Sequence, residues 1–221
     1  MRKGIFIAFE GIDGSGKSTQ IQLLAEKIKE KGLRCYQTCE PSGGPVGSLT
    51  RQILSGRMKA DPRVIAAMFA ADRLDHLLNE KDGIVKKIED GICVITDRYY
   101  FSSYAYHSVD VPMDWVIKLN EESAKVLRPD LNVYIDIDVD TAMERINKNR
   151  FHTELFEKKS YLEKVRENYI IAFSNISGER FLSIPGNQPP EKIAELIWTE
   201  IEFMIEEREK QEKELIKENN K

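Results

Sequence analysis

Gly11-Ile12-Asp13-Gly14-Ser15-Gly16-Lys17-Ser18 directly follows the apolar run Gly4-Ile5-Phe6-Ile7-Ala8-Phe9 and opens an amphipathic stretch. Strand, glycine loop and helix therefore arrive in the order that a phosphate cradle requires. The glycines let consecutive backbone N–H groups converge on one anion without obstruction by Cβ, and the following helix aims its positive end at the same point. Lys17 adds a mobile full charge, and Ser18 a hydroxyl suited to the coordination sphere of Mg²⁺. This stretch reads as a nucleotide-phosphate site.

Outward from the loop, apolar strand-like runs recur at Ile5–Phe9, near Leu33–Thr38, at Ile92–Thr96, at Asn132–Asp136 and near Phe181–Ile184, with helix-period segments between them. The alternation predicts an α/β fold in three layers, a five-stranded parallel sheet with helices on both faces. The first helix is expected from Ser18 to Lys31, with Ile21, Leu24 and Ile28 on one face and Gly32 as its left-handed stop. Further helices are expected at Val46–Leu54, Pro62–Glu89, Trp115–Leu127, Thr141–Lys148, Glu157–Ile176 and Pro190–Ile205. With 221 residues and no Pro/Gly/Ser linker, residues 1–205 are expected to form one domain. Residues 206–221 are almost wholly charged or polar and read as a solvated helix extension or a frayed tail.

Composition narrows the function. A net charge of −4 is unhelpful for neutralising a polyphosphate backbone, so polymeric DNA or RNA is disfavoured as a partner. No apolar run approaches membrane-spanning length, and Met1-Arg2-Lys3 leads straight into a short strand, so a cytoplasmic protein is expected. Cys35, Cys39 and Cys93 lack C-x-x-C spacing and are expected to be reduced thiols.

Ligands of an open parallel sheet bind beyond the carboxyl ends of its strands. After the third strand come Asp97-Arg98-Tyr99: the acid can hold the water shell of Mg²⁺ and the arginine can bridge phosphates, unless the two merely pair with each other. After the second strand lies the turn-rich Cys39-Glu40-Pro41-Ser42-Gly43-Gly44-Pro45, followed by Arg51, which alone reads as an exposed solubilising residue. Phe69 and Arg73, four apart on a helix, could grip a flat heterocycle by face and edge, although periodicity alone favours a core ring beside an exposed arginine. Arg128-Pro129-Asp130 is adequately explained as a helix stop and turn. The basic connection 145–156 reads equally as a flap carrying Arg145 and Arg150 or as a solvated loop.

Together these segments resemble the thymidylate kinase family of P-loop nucleoside monophosphate kinases. The resemblance is carried by Phe9-Glu10-Gly11 through Lys17-Ser18-Thr19, Glu40-Pro41 with Arg51, Phe69-Ala70-Ala71-Asp72-Arg73, Asp97-Arg98-Tyr99 with Ser102-Ser103 and Ala105-Tyr106, and Pro129-Asp130-Leu131, in the family's order. It implies transfer of the γ-phosphoryl group of ATP to dTMP, with Mg²⁺ required. It implies that Gly11, Ile12, Asp13, Gly14, Ser15, Gly16, Lys17, Ser18 and Thr19 hold the ATP phosphates, and that Ser18 and Asp97 serve the metal. Phe69 would stack on thymine, Arg73 and Ser103 would stand at the base, and Tyr106 would pack beneath the sugar and favour a deoxynucleotide. Arg51 and Arg98 would hold the acceptor phosphate, with Asp13 and Glu40 on the acceptor side and a homodimer as the assembly. Where one type of member has arginine after the loop aspartate, this chain has Gly14, so the catalytic cation is expected from Arg145 or Arg150, alongside Lys17 and Arg98.

Three departures touch the acceptor side: Cys39 where many members have arginine, Ser42-Gly43-Gly44-Pro45 for the usual Gly-Gly-Thr, and His107 where glutamine is frequent. They leave a kinase for another deoxynucleoside monophosphate, or for a deoxynucleoside, as the alternative. A GTP switch is disfavoured because Asn147-Lys148-Asn149-Arg150 has arginine where a guanine reader needs an acid. A sensing module that binds without turnover remains a further reading.

Overall fold

The computed structural model describes residues 4–149 and 158–219. The strands are β1 (Phe6–Glu10), β2 (Cys35–Cys39), β3 (Cys93–Asp97), β4 (Leu131–Asp136) and β5 (Phe181–Pro185). The helices are α1 (Lys17–Glu30), α2 (Pro45–Leu54), α3 (Pro62–Leu78), α4 (Ile84–Glu89), α5 (Tyr100–His107), α6 (Met113–Val126), α7 (Val139–Asn149), α8 (Lys159–Asn175) and α9 (Pro190–Asn219). The sheet is parallel throughout, in the order β2-β3-β1-β4-β5. The register aligns Phe9 with both Asp97 and Val133, and Cys39 with Asp97, so the chemistry-bearing residues that follow these strands emerge along one edge.

Both faces of the sheet are covered, which is why its central strands read as unbroken apolar runs. Phe6, Ala8, Val94 and Tyr134 pack on one side with residues of α5 and α8. Ile7, Phe9, Ile95, Val133 and Ile135 pack on the other with residues of α1 and α9. Each such fully buried Phe, Ile or Val side chain contributes about 1.5–3 kcal/mol of transfer free energy. Successive β1 residues thus alternate between two cores, holding the loop that follows them on a rigid base.

The expected helices recur with shifted ends, and two differences have physical causes. The stretch expected as one helix, Pro62–Glu89, is two, broken between Leu78 and Ile84. At the break a Cβ on Gly83 would lie 2.5 Å from the carbonyl oxygen of Asn79 and 2.7 Å from that of Leu77, so the chain doubles back there on a residue without a side chain. Helix α5 was not expected at all. All of its residues are buried, so it has no polar face and no amphipathic period to betray it. Helix α9 continues to Asn219, the helix extension that was one of the two readings of residues 206–221. Cys35, Cys39 and Cys93 are thiols rather than halves of disulfides.

Candidate active site

The glycine loop turns into α1 at Gly16, whose φ of 100° is left-handed and open to glycine at no steric cost. Lys17, buried at the helix start, donates from Nζ to the carbonyl oxygens of Gly11 (3.1 Å) and Ile12 (3.2 Å) and lies 3.9 Å from Asp97. Burial, with Arg98 adding to it, pulls the ammonium below the ordinary lysine range, against the pull of Asp97 and Asp13. Gly14 also has a positive φ, and a Cβ there would lie 2.5 Å from the carbonyl oxygen of Ala142 in α7. Helix α7 thus occupies the space that a side chain at position 14 would need. From that helix Arg145 reaches the loop instead, donating to Gly14 O (3.4 Å), Ser15 O (3.4 Å) and Gly186 O (3.0 Å).

Ser18 Oγ stands 3.4 Å from Asp97 Oδ2, and Asp97 Oδ1 is buried without a hydrogen-bond partner among the described residues. A hydroxyl and an unsatisfied carboxylate oxygen beside a phosphate cradle are hard oxygen donors of the kind Mg²⁺ takes, with waters filling its remaining positions.

On the acceptor side, Arg98 has the backbone φ of 72° that is rare for a side-chain-bearing residue. Its guanidinium donates to Asp13 Oδ1 (2.6 Å), Tyr106 OH (3.0 Å), Gly11 O (3.2 Å) and Ser102 Oγ (3.2 Å). Burial pushes the Asp13 carboxyl up, but Arg98 and Lys17 outweigh it, and the group sits at about 2. Asp13 is therefore a fixed anion that orients Arg98 and accepts from Tyr106 OH (2.9 Å). The alternative in which Arg98 pairs with its neighbour Asp97 is not what forms.

Arg73 is not the exposed arginine that periodicity favoured. It is 1% exposed, bound through Nε to Glu40 Oε2 (2.7 Å) and through Nη1 to Asn120 Oδ1. Phe69 is half-buried rather than a core ring and packs against His107 with ring centroids 4.8 Å apart. Arg51, exposed along its stem, turns its tip to Pro41 O (2.7 Å) and Ser42 O. The loop that supplies those carbonyls is held by Asp72, which accepts from Ser42 N and Ser42 Oγ at 2.6 Å each. Ser103 Oγ is buried with no hydrogen-bond partner among the described residues.

One cleft of about 980 Å³ brings these groups together: Lys17, Arg51, Arg73, Arg98 and Arg145 line it with Phe69, Ser103 and Tyr106. Arg150 and the rest of the expected flap beyond residue 149 lie outside the described residues. Sequence reading gave no role to Asp72, quoted only as part of the Phe69–Arg73 stretch, and missed Asn120, which carries no motif of its own. It noted His107 only as a departure, yet His107 lines the cleft beside Phe69.

Burial, with the Arg73 charge adding to it, pushes the His107 imidazole from 6.5 down to about 3. Folding therefore favours the neutral ring, and its stabilisation is complete above pH 6.5 and lost as pH falls toward 3. Relative to His107→Gln, the wild type should lose up to about 1.4 kcal/mol per pH unit across that window, read from urea unfolding at stepped pH. A constant difference between the two proteins would refute a buried neutral imidazole.

A phosphate cradle at the end of a central parallel strand, opening into a cleft whose far wall carries a ring and several guanidinium groups, defines a P-loop nucleotide kinase. The family model described as thymidylate kinase matches residues 9–197. A probable thymidylate kinase of Methanocaldococcus jannaschii is 39% identical over 77% of this chain and 82% of its own length. One of Pyrobaculum calidifontis is 39% identical over 86% of this chain and 92% of its own. One of Methanococcus aeolicus is 36% identical over 79% and 80%. The chain belongs to the thymidylate kinase family.

Proposed function

We propose that this chain transfers the γ-phosphoryl group of ATP to the 5′-phosphate of dTMP, giving dTDP and ADP, with Mg²⁺, as a cytoplasmic homodimer in which residues 1–205 act as one kinase unit. The observation that carries this reading is the meeting of Lys17 with Arg51, Arg73 and Arg98 around one cleft that also holds Phe69. Among the described residues no helix is long and apolar enough to cross a membrane. Exposed Leu49, Val64 and Trp115 on the adjoining helices α2, α3 and α6 support a second copy as partner.

In this reading the backbone of Gly11 to Thr19 cradles the ATP phosphates, and Ser18 and Asp97 hold Mg²⁺. Held there by Ser18 and Asp97, the metal would supply positive charge to offset that of the phosphates. Phe69 stacks on thymine, and Arg73, held by Glu40, meets the base edge with Ser103. Tyr106 packs beneath the sugar, and Arg51 and Arg98 take the acceptor phosphate. That phosphate has a second pKa of about 6 and is largely dianionic at neutral pH, so it attacks without a general base. Asp13 is already committed to Arg98 and remains ionised, which suits orientation rather than proton transfer. The chemical difficulty is to bring two polyanions into line. Lys17, Arg98 and the lid arginines Arg145 and Arg150 supply the positive charge that the transition state needs. Arg145 already rests on the loop carbonyls, so it requires only a short swing to reach a phosphate.

ADP release from ATP and Mg²⁺, measured against dTMP, dUMP, UMP, CMP, AMP, dGMP and thymidine, tests the assignment. dTMP should be the preferred acceptor. Preference for another nucleotide would overturn the base-edge roles of Arg73 and Ser103, and turnover of thymidine alone would replace the phosphate acceptor with a hydroxyl.

A further inference from the structure

Glu10, the last residue of β1, lies directly beneath the glycine loop with no exposure to solvent. Burying a carboxylate is costly, and among the described residues the partners of Glu10 are neutral groups rather than a cation. Burial pushes its carboxyl up to about 7, against hydrogen bonds from Ser102 and Tyr169 and the nearby Arg98 charge. A well-packed apolar side chain would be a cheaper way to end the strand, so the bonds that Glu10 makes require a reason.

Those bonds converge on one target. Glu10 Oε1 accepts from the backbone N–H of Tyr99 (3.0 Å), the peptide group immediately after the left-handed Arg98. Arg98 N in turn donates to Phe9 O (2.9 Å), so the end of β1 grips the turn on both sides of the strained residue. Left-handed backbone at a residue with a Cβ costs roughly 1–2 kcal/mol and persists only where its surroundings impose it. Glu10 Oε2 accepts from Ser102 Oγ (2.5 Å) and Tyr169 OH (3.0 Å). Ser102 has a single proton to give, and giving it to Glu10 turns its lone pairs outward. One of these accepts from Arg98 Nη1 (3.2 Å). The carboxylate thus fixes both the backbone and the side-chain anchor of the same arginine.

We propose that Glu10 is a positioning residue for phosphoryl transfer, setting Arg98 through the Tyr99 N–H and the Ser102 hydroxyl; this rests on the reading of Arg98 as the acceptor-phosphate ligand. An amide at position 10 keeps the shape and accepts from Tyr99, but its NH₂ group faces Ser102 as a donor. It then competes with Arg98 for the serine lone pairs.

The test is a double-mutant cycle in the full chain, with ADP release measured per folded molecule, at saturating ATP for the dTMP constants and with ATP varied at saturating dTMP for the KM of ATP. Glu10→Gln should lower kcat/KM for dTMP about tenfold while KM for ATP stays within about twofold. In an Arg98→Ala background the same change should cost less than about twofold, because the relay has lost its target. A merely structural carboxylate would lower the melting temperature and leave this coupling at zero. An undiminished loss in the Arg98→Ala background, or wild-type kinetics for Glu10→Gln, overturns the relay. If Glu10→Gln does not fold, Ser102→Ala enters the same cycle, where a loss that vanishes without Arg98 supports the relay and an additive one overturns it. A wild type that leaves dTMP unphosphorylated overturns the acceptor reading and the relay together, whereas an additive cycle in an active enzyme overturns the relay alone.

Discussion

Replacing Lys17 by alanine should give a folded protein whose turnover of ATP with dTMP is lower by at least about a hundredfold. The fold survives because the ammonium's hydrogen bonds among the described residues run to Gly11 O and Ile12 O within the same loop, and its approach to Asp97 of β3 is long at 3.9 Å. Lys17 itself lines the cleft, so water can enter the space that its side chain leaves and replace the lost donor. Alanine at the first position of α1 is also the better helix former, so the helix keeps its start at Gly16. The rate falls because no other group follows the transferring phosphoryl oxygens with a full charge from this side of the cleft. Arg98 is tied down by Asp13, and Arg145 is engaged with the loop carbonyls from helix α7. Circular dichroism and thermal unfolding would establish the fold, and coupled detection of ADP the rate. A folded Lys17→Ala enzyme with near-normal turnover would remove the loop from the mechanism.

The parts of this molecule legible in its sequence are those whose physics is local. The glycine loop is readable because left-handed backbone and an unobstructed row of N–H groups demand particular residues at consecutive positions. The central strands are readable because burial on both faces leaves nothing polar along them. Helix α5 was hidden for the complementary reason: Tyr100 to His107 is buried all round and offers no period to detect. Arg73 was misjudged because its partners lie on other elements, Glu40 at the end of the β2 turn and Asn120 in α6. Periodicity evaluates one helix at a time and cannot price an ion pair made across three. Asp72 was silent likewise, since its bond to Ser42 spans elements that meet only when the sheet is built. Gly14 shows the opposite case, a departure from one family type whose cause becomes visible once Ala142 is seen to occupy the space above it.

The Glu40–Arg73 pair allows stability and recognition to be separated. Both side chains are 1% exposed, with Arg73 Nη2 2.6 Å from Glu40 Oε2. Arg73→Met removes the cation and strands a buried carboxylate, which should cost about 3–5 kcal/mol and lower the melting temperature by about 10 °C. Adding Glu40→Gln should restore much of that loss, because a neutral amide needs no counter-charge and His76 Nδ1, 3.5 Å from Glu40 Oε1, stands close enough to partner it. Phosphorylation of dTMP should not return with the stability. The two bonds that Arg73 makes to Glu40 and the one to Asn120 leave donor capacity on its terminal nitrogens, and the residue lines the cleft with Phe69, where the proposed reading has its planar fork meet the base edge. Melting curves and dTMP kinetics on the single and double variants therefore give a decisive pair of readings. If the double variant recovers both stability and the wild-type KM for dTMP, Arg73 serves packing alone, and selection of the base must come from Ser103 and His107.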